Sequence, residues 1–302
     1  MKFKLITILA ALVAFLFVGS LPAQDLGPQF KKIKDGIYVY AGKPNESNCT
    51  IILTQEGVVL IDSGNRPPDS HAVMKAVKQL TSQPIRFLIN TEPHTDHTTG
   101  HFVFSPPAII VAAEGGGESM RKAYDPERMK KMMAEPGEMG AAAKGYRLIT
   151  PHIEYRDKMT LNVGERTFEL YYLKNVHSEA DTAIWLSKER VLFTAASIGV
   201  KNFNNLRPFV SIPDTLNAIK MMKALNPEVV IPGHGEPGTL QILDNMERYY
   251  NLLVDRVKQM AQQGKSLDQI KKELKMPEYE DWEGKDCFPN NVEAAYRAVT
   301  GK

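Results

Sequence analysis

The chain has little cysteine. Among 302 residues only Cys49 and Cys287 carry a thiol. One intrachain disulfide is the most they allow, and their spacing leaves two readings open: a pair closing a long loop, or two separate buried thiols. Charge of one sign is lacking as well. Lys and Arg number 37 against 35 Asp and Glu, a balance that gives no reason to expect nucleic acid or an anionic membrane as partner. Apolar runs long enough to span a bilayer are missing too. The run from Leu5 to Val18 falls short of the roughly 20 residues that a spanning helix needs. No cysteine follows that run, so the attachment point of a bacterial lipid anchor is absent.

What is present fits a globular, exported protein. A hydrophobic content of 43% with 24% charged residues is ordinary for a chain that buries a full core. At the start, Lys2 and Lys4 precede the apolar run, and Gly19-Ser20-Leu21-Pro22-Ala23 follows it. This is the layout of a secretory signal peptide over residues 1–23, with an uncleaved anchor as the alternative. The mature chain then begins near Gln24, is periplasmic or secreted, and has no stable membrane insertion. Its removal takes two lysines and no acids, leaving 35 basic residues against the 35 acidic ones. Export would place both thiols in an oxidising compartment.

The most informative stretch runs from Asn90 to His101. It follows Ile85 to Ile89, an apolar run that reads as a buried strand, and leads toward a helix near Thr98. Glu92, His94, Asp96 and His97 are crowded into this strand-to-helix turn. Imidazoles and carboxylates together suit zinc or a similar divalent ion, and the spacing could serve two adjacent metals; a polar loop is the plainer reading. Two further histidines, His177 and His234, favour the metal.

Around this stretch, Gly36 to Ala41 alternates as a first strand, and Asn48 to Leu53 with Gly57 to Asp62 forms a hairpin. Asp69 to Leu80 is helical, and Ala108 to Ala112 is a short buried strand. Residues 113–149 mix a glycine run at 115–117 with Met, Lys and Glu at helical spacing, and Met129, Met132 and Met133 read as core, with the lining of a broad apolar pocket as the alternative. Strands follow at Lys158–Val163, Thr167–Leu173, Thr182–Leu186, Val191–Phe193 and Val229–Ile231. Helices occupy Pro213–Ala224, Leu240–Gln263, Leu267–Leu274 and Asn291–Val299.

The segments Asn90-Thr91-Glu92-Pro93-His94-Thr95-Asp96-His97, Val176-His177 and Ile231-Pro232-Gly233-His234-Gly235 resemble the metal motifs of the metallo-β-lactamase superfamily. The similarity runs from about Ile33 to Gly238. The usual first motif is Asn-Thr-His-x-His-x-Asp-His, so Glu92 stands in place of its first histidine. The resemblance implies an α/β fold, an αββα sandwich of two mixed β-sheets flanked by helices, with metals at one edge. It implies a single domain over residues 24–302, with a helical C-terminal extension from about residue 240.

The same resemblance implies zinc, one or two ions. Glu92, His94 and His177 would hold the first; Asp96, His97 and His234 the second, with Asp96 also catalytic. Asp62 would support the metal loop, Asp181 would orient a ligand, and Ser197 falls near a serine that orients water in some members. His101 reads as a surface or supporting residue. One departure stands out: Ala195-Ala196 occupies the place where most two-metal members carry Gly-Asp, whose carboxylate bridges the ions. Members of the third β-lactamase subclass lack that bridge, which implies hydrolysis of a β-lactam or related cyclic amide, a small-molecule substrate. A glyoxalase II-like thioester or lactone hydrolase, and a catalytically decayed metal-binding member, are the alternatives. Without a bridge, Glu92 is expected to shift negative charge toward the first site.

Overall fold

The computed structural model describes residues 25–41 and 46–301; the expected signal peptide lies outside them. Among the described residues, no helix is long and apolar enough to cross a membrane.

The chain begins with four antiparallel strands, β1 (Phe30–Lys34), β2 (Ile37–Tyr40), β3 (Cys49–Thr54) and β4 (Gly57–Ile61). Helix α1 (Pro67–Leu80) then carries it to β5 (Ile85–Ile89), and the turns α2 (Thr95–Thr98) and α3 (His101–Phe104) lead to β6 (Ile109–Ala113). Three helices follow, α4 (Gly116–Ala123), α5 (Pro126–Ala134) and α6 (Glu138–Ala143), before β7 (Ile153–Tyr155) closes the first sheet. The order of this seven-stranded sheet is β1-β2-β3-β4-β5-β6-β7, parallel from β4 onward.

A second sheet of five strands holds β8 (Lys158–Val163), β9 (Arg166–Leu173), β10 (Asp181–Leu186), β11 (Val191–Phe193) and β12 (Val229–Ile231), in the order β12-β11-β10-β9-β8. All its pairs are antiparallel except β11 with β12. Helices α7 (Ile212–Ala224), α8 (Gln241–Gln262), α9 (Leu267–Glu273) and α10 (Phe288–Thr300) complete the chain.

Alternation along the strands decides the layering, because successive side chains leave a strand on opposite faces. Ile52, Val59, Ile61, Ile89 and Val111 of the first sheet meet Phe168, Ile184, Leu186, Phe193 and Ile231 of the second, so the two sheets pack face to face. The intervening positions face outward. Ile51, Leu60, Leu88 and Ile110 pack on Val73 and Val77 of α1. Ala183, Trp185, Leu192 and Val230 pack on Ile219, Leu243, Tyr250, Leu253 and Val292 of α7, α8 and α10. Slipping β10 by one residue would exchange Ile184 with Trp185 between two cores, so burial on both faces fixes its register. The expected αββα sandwich is the observed fold, and α7 together with the helices from Gln241 onward forms its second outer layer.

Two strands were not expected from the pattern. Strand β1 reads Phe-Lys-Lys-Ile-Lys and β7 reads Ile-Glu-Tyr, each at an edge and largely exposed. Edge strands need a backbone partner more than an apolar face, so their sequences alternate weakly. The methionine stripe divides: Met129 is buried, whereas Met133 is exposed. Both cysteines are free. Cys49 is buried in β3 with its thiol donating to Asp62 O at 3.2 Å, and Cys287 lies in the turn before α10.

Candidate metal centre

Every element that reaches the site ends at the same edge of the sandwich. Asp62 terminates β4 with φ 59°, a left-handed conformation that Asp tolerates better than branched residues. This turn aims its carboxylate back under the β5 loop. Its oxygens accept from Thr91 N at 2.7 Å, Thr91 Oγ1 at 2.6 Å and His97 Nδ1 at 2.9 Å. Asp62 thereby fixes the tautomer of His97 and leaves Nε2 free to ligate, as carboxylates behind metal-binding histidines do. The short helix α2 is held from below, where Ser63 Oγ donates to His97 O at 2.7 Å and Ser47 Oγ donates to Asp96 O.

The other two histidines come from the second sheet. Asp181 opens β10 and accepts from His177 N at 2.6 Å, from Ser178 N at 2.8 Å and from the Ser178 hydroxyl. It positions the main chain of His177 rather than its ring. Arg207 adds a bond to His177 O at 3.1 Å. The loop carrying His234 leaves β12 and is pinned by Asn48, whose Nδ2 donates to Pro232 O at 2.9 Å and Gly235 O at 2.8 Å. Gly233 is required by close approach, because a Cβ there would stand 2.5 Å from Ala196 N.

The six side chains expected to hold metal converge. Glu92 Oε2 contacts His94 Nδ1 and lies 3.3 Å from His177 Nε2. On the other side, His97 Nε2 lies 3.1 Å from both His234 Nε2 and Glu92 Oε1. Asp96 Oδ2 is 3.3 Å from His234 Nε2 and 3.5 Å from His97 Nε2. Glu92, His94 and His177 form one set of three with ligand atoms within 4.8 Å of each other; Glu92, His97 and His234 form another. Glu92 thus reaches both groups, whereas the sequence assigned it to the first alone. These imidazole nitrogens and carboxylate oxygens point at one another with no Lys or Arg among them, an arrangement that suits divalent cations.

Electrostatics follow from this crowding. Burial disfavours an imidazolium at His97, but Glu92, Asp62 and Asp96 around it outweigh burial and raise its pKa to about 10. Burial alone would also raise Glu92 and Asp96; the neighbouring imidazoles reverse the effect and hold both well below the usual carboxylate range. Asp181 behaves differently, since burial dominates and lifts it to about 6.

In the metal-free protein the raised pKa of His97 stabilises the fold fully below about pH 6.5, and this contribution fades as pH rises toward about 10. A metal must displace that proton. Zinc affinity should therefore rise, by about tenfold per pH unit between roughly pH 7 and 9 for one displaced proton. Competition with a chelator across that range measures it, and a flat profile would show that His97 is not a ligand.

Two expectations need correction. Ser197 is buried, and its hydroxyl closes its own turn on Thr194 O at 2.5 Å. It is not turned toward the metal-binding side chains, because the chain forms a 3-10 turn over Ala195–Ser197. His101 is buried too, with Nδ1 donating to Ile149 O at 2.8 Å and burial pushing its pKa down to about 4. It is a neutral packing residue. Residues outside the motifs also matter: Asn48 and Ser63 hold the ligand loops through hydrogen bonds that no spacing rule announces.

Imidazoles and carboxylates gathered where two sheets meet define a candidate metal centre. A model of the metallo-β-lactamase superfamily matches residues 42–234, and the chain belongs to that superfamily. It is 23% identical over 208 residues to a metallo-β-lactamase type 2 of Bacillus sp. (strain 170), covering 68% of this chain and 72% of that one. Among solved structures it is similar to a metallo-β-lactamase from Pontibacter korlensis (TM-score 0.58, 20% identity, 72% of this chain and 96% of that one). It is also similar to the inverting sec-alkylsulfatase Pisa1 from Pseudomonas sp. (TM-score 0.70, 17% identity, 90% of this chain). This chain spans about half the length of that alkylsulfatase, 50% being covered.

Proposed function

We propose that this protein is an exported, zinc-dependent hydrolase acting on a small carbonyl substrate, with a β-lactam or related cyclic amide as the favoured class. The observation that carries this reading is the convergence of Glu92, His94, Asp96, His97, His177 and His234 beside an open cleft. The signal-peptide layout of residues 1–23 supports export.

The cleft has a volume of about 480 Å³ and includes Asp96, Arg66, Arg128, Lys131, Met129 and Met132 in its walls. That size suits a drug-sized molecule. Zinc in such a donor set supplies Lewis acidity and makes hydroxide available near neutral pH. The chain's own groups position the reactants. Of the two carboxylates in the ligand set, Asp96 reaches the cleft, its side chain 35% exposed while that of Glu92 is wholly buried. Its depressed pKa keeps it ionised, so it accepts a hydrogen bond from the attacking water and orients it. Arg128 and Lys131 offer charge to a substrate carboxylate, and the methionines give an apolar wall that adapts its shape.

A second reading, hydrolysis of an alkyl sulfate ester, draws on the same cleft, because cations beside methionines also suit an anionic head on an apolar chain. The structural likeness to the alkylsulfatase supports it by extending over 90% of this chain, against 72% for the β-lactamase. The zinc-loaded protein should open nitrocefin. Turnover of a secondary alkyl sulfate with nitrocefin untouched would favour the second reading, and turnover only of a thioester or lactone would favour those substrates. Zinc binding with no turnover of any of them would mark a decayed member.

A further inference from the structure

Glu92 is 1% exposed, and its two oxygens face different histidine pairs. Oε2 lies against His94 and His177, whereas Oε1 lies 3.1 Å from His97 Nε2. The two groups of possible ligands therefore meet at one carboxylate. Across the site stands Ala196, at the position where two-metal relatives carry the bridging Asp. Its methyl group cannot ligate, but its backbone N–H donates to Glu92 Oε1 at 3.1 Å. The loop that elsewhere delivers a bridge here steadies one that arrives from the opposite sheet.

We propose that Glu92 is a bridging carboxylate, giving one oxygen to each of two divalent metal ions. The exchange of histidine for Glu92 and the loss of the acid at Ala196 are then one change: the bridge has moved from the β11 turn to the β5 loop. Asp96 completes the second site with His97 and His234. A syn-syn carboxylate spans ions about 3.5–4 Å apart, the usual separation in two-metal hydrolases. The expectation that negative charge shifts toward the first site is replaced by charge shared between both. This inference rests on the metal-dependent reading, and its failure can be told apart from the failure of that reading.

The test loads the full mature chain with Co(II) and follows stoichiometry together with EPR intensity. Wild type should bind two Co(II) per chain, with the signal falling as the second equivalent enters because the bridge couples the ions. Glu92→Gln keeps the side-chain size and should bind the second Co(II) at least about 100-fold more weakly, more than outer positions commonly cost, leaving an uncoupled signal. Circular dichroism checks its folding. The double variant Glu92→His/Ala196→Asp moves the bridge back and should recover two coupled ions. Two uncoupled ions in wild type, or unchanged coupling in Glu92→Gln, overturns the bridge while leaving a metal enzyme. No Co(II) bound by wild type overturns both.

Discussion

Asp96→Ala should reduce kcat by more than the roughly 100-fold that altering an outer partner of a metal commonly costs, while leaving the fold intact. Asp96 is partly exposed, so truncating it opens no core cavity. What is lost is the carboxylate 3.3 Å from His234 Nε2 and 3.5 Å from His97 Nε2, together with the only carboxylate of the ligand set that reaches the cleft. Zinc content should drop toward one ion per chain, because the group around His97 and His234 loses the carboxylate beside it while Glu92, His94 and His177 are untouched. Asp96→Asn separates the two roles: it keeps a hydrogen-bonding oxygen but removes the charge, so it should recover less zinc than rate at saturating metal. The measurement pairs initial rates at saturating zinc with elemental analysis. Full activity and two zinc ions in Asp96→Ala would remove Asp96 from the machinery.

Gly233→Ala should damage fold and site together. A Cβ at this position would lie 2.5 Å from Ala196 N, 2.6 Å from Ala195 C and 2.9 Å from Ala196 Cα, all of them backbone atoms that cannot rotate away. The strands on both sides are buried and paired, with Gly233 N donating to Ala195 O at 2.9 Å. Relief must come from moving the loop, which costs about 1–3 kcal/mol as overpacking does. That movement carries His234 away from His97 and shifts the Ala196 N–H away from Glu92. Denaturant unfolding should therefore show a lower midpoint, and zinc affinity should fall even where the variant is fully folded. A variant that keeps wild-type stability and zinc binding would show that the loop gives way without disturbing the ligands.

The sequence by itself determined most strands and helices and the motifs, and the resemblance of those motifs to the superfamily implied the layers and the ligand list. Runs such as Val58–Ile61 and Ala183–Leu186 leave apolar side chains on both faces, and a strand buried on both sides demands a partner sheet and a covering helix. The motif residues were legible because metal ligation needs particular atoms, and few residue types carry them. Spacing could not give the outward edges β1 and β7, since exposed strands carry little pattern. Nor could it show which wall of the cleft Arg128 and Lys131 occupy, since that depends on how α5 folds over the edge of the sandwich.

Only the tertiary structure decided which groups face which. Ala196 read alone is a missing acid, and Glu92 read alone is a replaced histidine. They lie 104 residues apart, and no local rule connects them. The packed sheets bring the β5 loop and the β11 turn to one edge, where the Ala196 N–H meets Glu92 Oε1. The same packing turned Ser197 onto Thr194, although the sequence had placed it near a water-orienting position, and buried His101, which the sequence had read as a surface or supporting residue. A residue's type fixes which atoms it can offer. The direction in which it offers them is set by backbone turns and long-range hydrogen bonds, and these exist only once both sheets are in contact.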